Sequence, residues 1–283
     1  MSTSTFDAIK ATSTRLATDL EAALDADVMA ILGPIVPGAE HKVRDAAELT
    51  TNRRRKLAVV LSTPGGVVEI AERMVGVLRH HYSEVIFVVP DVAMSAGTVF
   101  AMSGDAIMMS YFSCLGPIDP QVQRGGTLVP ALSYLVQYNR LIQKASNGTL
   151  NTAEYAMLTK LDLAELHKFE EARELSISLL VKWLTTYKFK DWKITETTKK
   201  AVTQADREAR AKDIAEKLAD HQLWHSHGRG IPMQVLVNDL KLKIDDYRKD
   251  PDVAGKIDHY FSFLTDLIEK QNIPHLVHTR QFL

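Results

Sequence analysis

Four short, uniformly apolar segments limit the possible fold of this chain more than any other feature. Each is four or five residues long, and they occupy residues 28–32, 57–61, 85–89 and 106–109. Such segments are typical of strands that are covered on both faces, where no side chain reaches water. Between the second and third segments, apolar residues recur at helical spacing over residues 67–81. This strand–helix–strand alternation predicts an α/β fold with a parallel sheet and right-handed crossovers.

The remainder of the chain is predominantly helical and charged. Apolar residues at helical spacing predict helices over residues 132–141, 159–187, 207–219 and 258–270. The Lys- and Thr-rich stretch 188–206 is expected to form a loop or arm, after aromatic residues that fit a core or a subunit interface. We predict a helical N-terminal segment or tail (1–26), a main domain (27–246) with a helical insertion at about 150–206, and a C-terminal helical tail (247–283).

Composition argues against several functional classes. The net charge of −1 gives no electrostatic basis for binding nucleic acid or an anionic membrane surface. The one cysteine, Cys114, is incompatible with an intrachain disulfide framework and with a zinc site of the CxxC kind. No apolar run approaches the roughly 18 residues of a membrane span, and the amino terminus lacks a signal-type apolar segment. We therefore expect a soluble cytoplasmic protein that needs no cofactor or metal.

Two segments carry the residues for acyl-transfer chemistry: Ser62-Thr-Pro-Gly-Gly-Val67 and Asp91-Val-Ala-Met-Ser-Ala-Gly-Thr98. Ser95 follows a buried strand and precedes a helix, so that a nucleophilic hydroxyl would lie among free N–H groups. The glycine pair allows a substrate to approach the backbone closely. The N–H groups of Gly66 and Ala96 are the predicted donors to an oxyanion. Taken alone, the glycine pair is better explained as an ordinary strand-to-helix turn, and the small residues around Ser95 also fit close helix–sheet packing.

Together with Leu115-Gly-Pro-Ile-Asp-Pro-Gln121 and Ser226-His-Gly-Arg-Gly-Ile-Pro232, these segments resemble those of the serine dehydrogenase proteinase family. Members of this family are serine peptidases of the ClpP/crotonase fold, related to SppA signal peptide peptidase. The resemblance covers about residues 28–246. It implies a peptidase with a triad in the chain order Ser, Asp, His, in which Ser95 is the nucleophile, Asp119 the acid and His227 the base. Gly66 and Ala96 would form the oxyanion hole.

The sequence departs from the family pattern around the base. The residues after His227 are Gly-Arg-Gly, without the acidic and aromatic neighbours of the family motif, so His225 remains an alternative base. SppA-like enzymes use a Ser–Lys dyad instead, and Lys144 is the nearest lysine downstream of the position where such a residue would fall. Asp119 lies between two prolines, where an aspartate that caps a turn is the structural alternative.

Further function hypotheses remain open. The chain could be a catalytically inactive scaffold or binding protein of the same fold, or a crotonase-like acyl-CoA enzyme, for which the sequence gives no support. The family resemblance implies a peptide or protein substrate and a homo-oligomer, with the helix predicted at 159–187 as an assembly element. The chain has no G-x-x-x-x-G-K-[ST] motif, so a partner unfoldase or effector would have to be another protein.

Overall fold

The structure of the protein is a computed structural model that describes residues 4–124, 127–195 and 199–283. Its helices are α1 (Thr5–Leu24), α2 (Ala39–Leu49), α3 (Val68–His81), α4 (Ala96–Ala101), α5 (Ala131–Ser146), α6 (Thr152–Leu158), α7 (Leu163–Trp183), α8 (Gln204–Ala219), α9 (His221–Trp224), α10 (Met233–Asn238) and α11 (Pro251–Gln271). Its strands are β1 (Asp27–Leu32), β2 (Lys56–Ser62), β3 (Glu84–Val89), β4 (Val92–Ala93), β5 (Ala106–Met109), β6 (Cys114–Leu115), β7 (Gln121–Arg124), β8 (Thr127–Pro130), β9 (Ile231–Pro232), β10 (Asp245–Asp246) and β11 (Leu276–His278).

The central sheet has the strand order β10-β5-β3-β2-β1-β11. Every neighbouring pair in it is parallel except β1 with β11, which is antiparallel and closes one edge. The four apolar segments are β1, β2, β3 and β5, each within one residue of its predicted limits. The predicted α/β class with a mostly parallel sheet is therefore confirmed.

Helices cover both faces of this sheet. Because successive side chains of a strand point to opposite faces, Met29 and Ile31 join a core formed with α2, α3, α4, α7 and α8. Val28 and Ala30 of the same strand face the other way, toward α1 and α11. This two-sided burial explains why the strands carry no polar alternation in sequence.

Several elements differ from the sequence-based prediction. Helix α2 was missed because its buried side chains are mostly small, as in Ala46 and Ala47. The helix predicted at 159–187 begins later, since Asp162 caps α7 by accepting the N–H of Ala164 at 2.8 Å. After α7 the chain continues in a π-helical turn, Leu184–Lys188. Residues 276–278, which lie in the predicted C-terminal helical tail, form an edge strand of the central sheet. The domain boundaries remain a prediction.

Within the described ranges, no helix combines the length and apolar character needed to cross a membrane.

A second, smaller sheet consists of β4, β6 and β9. Strand β4 pairs with β6 in parallel, and β6 pairs with β9 in the antiparallel sense. A parallel bridge between Thr63, just after β2, and Ala93 of β4 connects this small sheet to the central one. The small sheet therefore extends from the carboxyl-terminal edge of the central sheet.

A buried histidine makes the fold sensitive to acid. The Tyr260 hydroxyl lies 2.7 Å from Nδ1 of His278, and burial lowers the pKa of His278 to about 4. A histidine whose pKa falls on folding stabilises the protein above its unfolded pKa of about 6.5, and that contribution is lost as the pH falls toward 4. A shift of this size corresponds to about 3 kcal/mol of unfolding free energy. His278→Gln should therefore make the free energy of unfolding, measured by urea titration, depend less steeply on pH between pH 6.5 and 4.

The matched control for this prediction is His259→Gln, which replaces an exposed histidine on the same helix as Tyr260. In this control, the free energy of unfolding should change with pH as steeply as in the wild-type protein. A second buried histidine, His275, also has its pKa lowered to about 4 by burial, so His278→Gln should remove only part of the slope. An unchanged slope in His278→Gln would contradict the prediction.

Candidate active site

The topology of the small sheet brings three distant segments to one edge. Ser95 lies two residues after β4, Asp119 four residues after β6, and His227 four residues before β9. Because β4 and β6 run in parallel and β9 runs against them, the ends of β4 and β6 lie beside the start of β9. The three predicted triad residues are therefore carried at the same end of this sheet.

Asp119 and His227 form a direct pair. Nδ1 of His227 lies 2.8 Å from Oδ1 of Asp119, which is fully buried, whereas the imidazole retains 22% side-chain exposure. The other carboxylate oxygen of Asp119, Oδ2, accepts a hydrogen bond of 3.0 Å from Nε2 of Gln121. With Nδ1–H donated to the carboxylate, Nε2 of a neutral His227 becomes the proton acceptor. A carboxylate that orients imidazole in this way is what a general base requires.

The turn that carries Asp119 is held at both flanks. The N–H of Ile118 donates to the carbonyl of Leu218 near the end of α8, at 2.9 Å. The carbonyl of Pro120 accepts the N–H of Ala131, at the start of α5, also at 2.9 Å. The position of the buried carboxylate is thus fixed by backbone contacts to two helices.

Ser95 has an unusual backbone conformation. Its φ of 52° and ψ of −118° place it outside the common regions for a residue with a side chain, immediately before α4. Such a conformation costs on the order of 1–3 kcal/mol and is concentrated at functional sites. The partly exposed hydroxyl makes no hydrogen bond to any residue in the described ranges, including His227. Bonds between a nucleophile and its base are often long before substrate binds.

The glycine pair lies directly against the serine. Gly65 has φ of 101°, and a Cβ on it would lie 2.7 Å from the Met94 carbonyl oxygen and 2.8 Å from Ser95 Cβ. Gly66 has φ of 146°, and a Cβ there would lie 2.1 Å from the carbonyl oxygen of Ile35. Both positions therefore require glycine, for conformation and for space.

The two predicted oxyanion donors have unpaired amides. The N–H of Ile35 donates to the Gly65 carbonyl and the N–H of Val67 donates to the Ile35 carbonyl, each at 2.8 Å. Gly66 lies between these two partners, so its own N–H points away from Ile35, as in any parallel bridge. The N–H of Ala96 belongs to the first turn of α4, where backbone donors lack helical partners. Neither N–H has an acceptor within the part of the chain that the structure describes.

The alternative bases have other environments. His225 is exposed and has a left-handed backbone conformation, with φ of 62°, at the end of α9. Lys144 on α5 forms an ion pair with Glu154 on α6. Of the three candidate bases, His227 is the one that contacts Asp119.

Sequence reasoning missed the polar side chains that support the site. Thr63 Oγ1 accepts the N–H of Gly65 at 3.0 Å and so fixes the turn of the glycine pair. Gln121 and Thr98 contact the segments of Asp119 and Ser95 respectively. Each lies inside one of the sequence motifs. The contacts of Thr63 and Gln121 depend on the local turn, and that of Thr98 with Gly116 depends on the neighbouring segment; spacing reports neither.

A separate cleft of about 630 Å³ lies between α5, α7 and α8. Carboxylates of Glu170, Glu174 and Glu216 contribute to its lining, whereas Ser95, Asp119 and His227 do not. It is not the site described above, since no candidate nucleophile faces it. Among the described residues, no group of three His, Cys, Asp or Glu side chains is arranged to hold a metal ion.

The geometry of the glycine pair leads to a sharp prediction. Gly66→Ala forces a methyl group against the Ile35 carbonyl and must move the Gly66 N–H. If that N–H binds an oxyanion, hydrolysis of a peptide substrate should fall by about 10²-fold or more. Gly76→Ala on α3 is the matched control, because the added Cβ would have no atom within 4 Å other than its chain neighbours and the backbone of its own helix. Equal activity of the two variants would rule out a role for Gly66.

Comparison with known proteins finds a match to one protein family. Residues 35–166, just under half of the chain, match the model of the ClpP-like SDH-type serine proteinases. The matched region includes Gly66, Ser95 and Asp119 and ends before His227. The resemblance to the serine dehydrogenase proteinase family is thereby confirmed, and it supports a serine peptidase.

Among curated proteins, two uncharacterized proteins of Methanocaldococcus jannaschii are similar. MJ1495 is 34% identical over 92 residues, which are 32% of this chain and 30% of that protein. MJ0137 is 34% identical over 102 residues, which are 36% of this chain and 35% of that protein. The aligned region thus spans about a third of the length of these relatives.

Among solved structures, two substituted forms of the 1510-N membrane-bound stomatin-specific protease are similar. One, in complex with a substrate peptide, has 14% identity and a TM-score of 0.48, covering 81% of this chain and 78% of that chain. The other has 13% identity and a TM-score of 0.47, covering 81% and 82%. The ClpP protease catalytic domain from Plasmodium falciparum has 11% identity and a TM-score of 0.30, covering 35% and 57%.

Proposed function

We propose that this chain cleaves peptide bonds through an acyl-enzyme on Ser95, since residues 35–166 match the model of the ClpP-like SDH-type serine proteinases. The observation that carries the proposal is the contact of the buried Asp119 carboxylate with Nδ1 of His227 at 2.8 Å. It supports His227 as the general base, since the pairing leaves Nε2 able to accept a proton.

The reaction would proceed in two halves. Nε2 of His227 takes the proton of the Ser95 hydroxyl while Oγ attacks the peptide carbonyl carbon. The tetrahedral intermediate collapses with cleavage of the C–N bond, and the imidazolium returns its proton to the leaving amine. Water then attacks the ester with His227 again as base, which releases the acid and restores Ser95.

The negative charge that develops on the carbonyl oxygen needs donors already in position. The unpaired N–H groups of Gly66 and Ala96 are proposed to supply them. Since both amides are held by backbone geometry, they would not need to reorient during the reaction. The strained backbone of Ser95 supports the same assignment, because a sharp turn before a helix exposes a nucleophilic hydroxyl.

Labelling with a fluorophosphonate probe, followed by peptide mapping, tests the proposal on the wild-type protein. The expected adduct lies on Ser95, and hydrolysis of fluorescent denatured casein should stop as the adduct forms. Adduct on a different serine would contradict the assignment. Absence of both adduct and hydrolysis would favour the scaffold hypothesis over a peptidase.

Self-assembly is a second part of the proposal and rests on the family resemblance. Peptide or protein substrates and a homo-oligomer are what that resemblance implies for this chain. Sedimentation of the labelled protein would give the oligomeric state of the reactive species. A species that carries the Ser95 adduct and sediments as a monomer would contradict the proposed assembly.

A further inference from the structure

A fully buried threonine connects the two segments that carry Ser95 and Asp119. Oγ1 of Thr98 lies 2.7 Å from the Ala93 carbonyl oxygen and 2.9 Å from the Gly116 carbonyl oxygen, and both can accept its proton. The same oxygen accepts the N–H of Gly116 at 2.8 Å. One hydroxyl thus contacts the last residue of β4 and the residue that follows β6.

These contacts lie close to the proposed reacting groups along the chain. Ala93 is two residues before Ser95, and Gly116 is three residues before Asp119. The Thr98 main-chain N–H also donates to the Ser95 carbonyl at 2.9 Å, which closes the first turn of α4. A shift of this threonine would therefore move the nucleophile relative to the acid.

The packing around Gly116 leaves little room for compensation. A Cβ on Gly116 would lie 3.1 Å from Met94 Cα and 2.6 Å from Met94 Cε. The segment before Ser95 is therefore in close contact with the end of β6. At this separation a small side chain that both donates and accepts can join the two segments, and a hydroxyl meets that requirement.

We infer that Thr98 is a positioning residue of the active site, whose hydroxyl sets the place of Ser95 relative to the Asp119–His227 pair. The inference rests on the proposed function of Ser95. It does not make Thr98 catalytic, since its side chain is fully buried and bonded to backbone groups. Without the hydroxyl, the Gly116 N–H would lose its acceptor in a buried site, and the two segments would separate or rotate.

Thr98→Val and Thr98→Ser test the hydroxyl directly. Valine keeps the shape but cannot bond, whereas serine keeps the hydroxyl and loses only the methyl group. A misplacement of about 1 Å can cost on the order of 10²-fold in rate. We expect Thr98→Val to lower the maximal rate of fluorophosphonate labelling by about 10- to 100-fold. The half-saturating probe concentration should be unchanged, and Thr98→Ser should recover most of the rate.

Ser103→Ala is the matched control. Ser103 is also buried and its hydroxyl donates to the Phe100 carbonyl at 2.7 Å, but that bond stays within the α4 region and does not reach β6. This variant should label at the wild-type rate. Should Thr98→Val fail to fold, Thr98→Cys replaces it, because a thiol of similar size is a much weaker hydrogen-bonding group.

Hydrogen exchange separates this inference from the proposed function. In Thr98→Val, peptides spanning residues 91–98 and 114–119 should exchange faster than in wild type, whether or not Ser95 reacts with the probe. Failure of the wild-type protein to label would refute the peptidase proposal. Hydrogen exchange would still report whether Thr98 couples the Ser95 segment to the Asp119 segment. The inference would be overturned if folded Thr98→Val showed the same hydrogen exchange and labelling rate as wild type. It would also be overturned if Thr98→Ser lost as much labelling rate as Thr98→Val.

Discussion

Ser95→Ala should abolish fluorophosphonate labelling and lower casein hydrolysis by about 10⁴- to 10⁶-fold. The hydroxyl is proposed to form the covalent bond to the acyl group, so its removal eliminates the two-step pathway rather than slowing one step. The residual rate would come from whatever donors and binding groups remain, as in other enzymes of this kind. The loss should fall on kcat, because the substrate still binds.

The fold should tolerate this change well. The Ser95 hydroxyl has no hydrogen-bond partner among the described residues, so its removal leaves no buried group unpaired. Ser226→Ala is the control, since Ser226 is exposed and adjacent to His227 in the chain. The control should keep wild-type labelling and hydrolysis. Persistent labelling of Ser95→Ala, mapped to another serine, would move the nucleophile and refute the proposed site.

The parts of this fold that could be predicted from sequence are those determined by local pattern. Strands β1, β2, β3 and β5 are apolar on both faces, so each of the predicted segments appears within a residue of its place. The glycine pair and Ser95 stand out for a similar reason, because a left-handed turn and a serine before a helix have local signatures. Helix α2 lacked such a signature, since its buried face consists largely of small residues.

The candidate site could be predicted only in part, because its contacts join distant segments. Asp119 and His227 are 108 residues apart in sequence, and their pairing depends on the parallel and antiparallel order of β4, β6 and β9. No spacing rule reports that order, so the choice of His227 rested on family resemblance. The contact between Thr98 and Gly116 depends on the same sheet, which brings the end of β6 next to α4. Gln121 lies only two residues from Asp119, and its hydrogen bond to the acid depends on the conformation of the turn between them.

His227→Asn should lower hydrolysis by a factor comparable to that of Ser95→Ala, about 10⁴- to 10⁶-fold. The asparagine amide cannot take the Ser95 proton, and the buried Asp119 carboxylate would no longer orient a base. The half-saturating concentration of casein should change little. The adduct on Ser95 should form much more slowly, since an unactivated serine hydroxyl is a poor nucleophile.

His225→Asn is the matched control for this variant. Asparagine tolerates the left-handed backbone of His225, so the substitution tests the imidazole without imposing strain. Because His225 is exposed and does not contact Asp119, wild-type hydrolysis is expected. A large loss in His225→Asn with little loss in His227→Asn would assign the base to His225. Labelling that survives both histidine substitutions and is lost in Lys144→Ala would instead support a Ser–Lys dyad, against the pairing of Lys144 with Glu154.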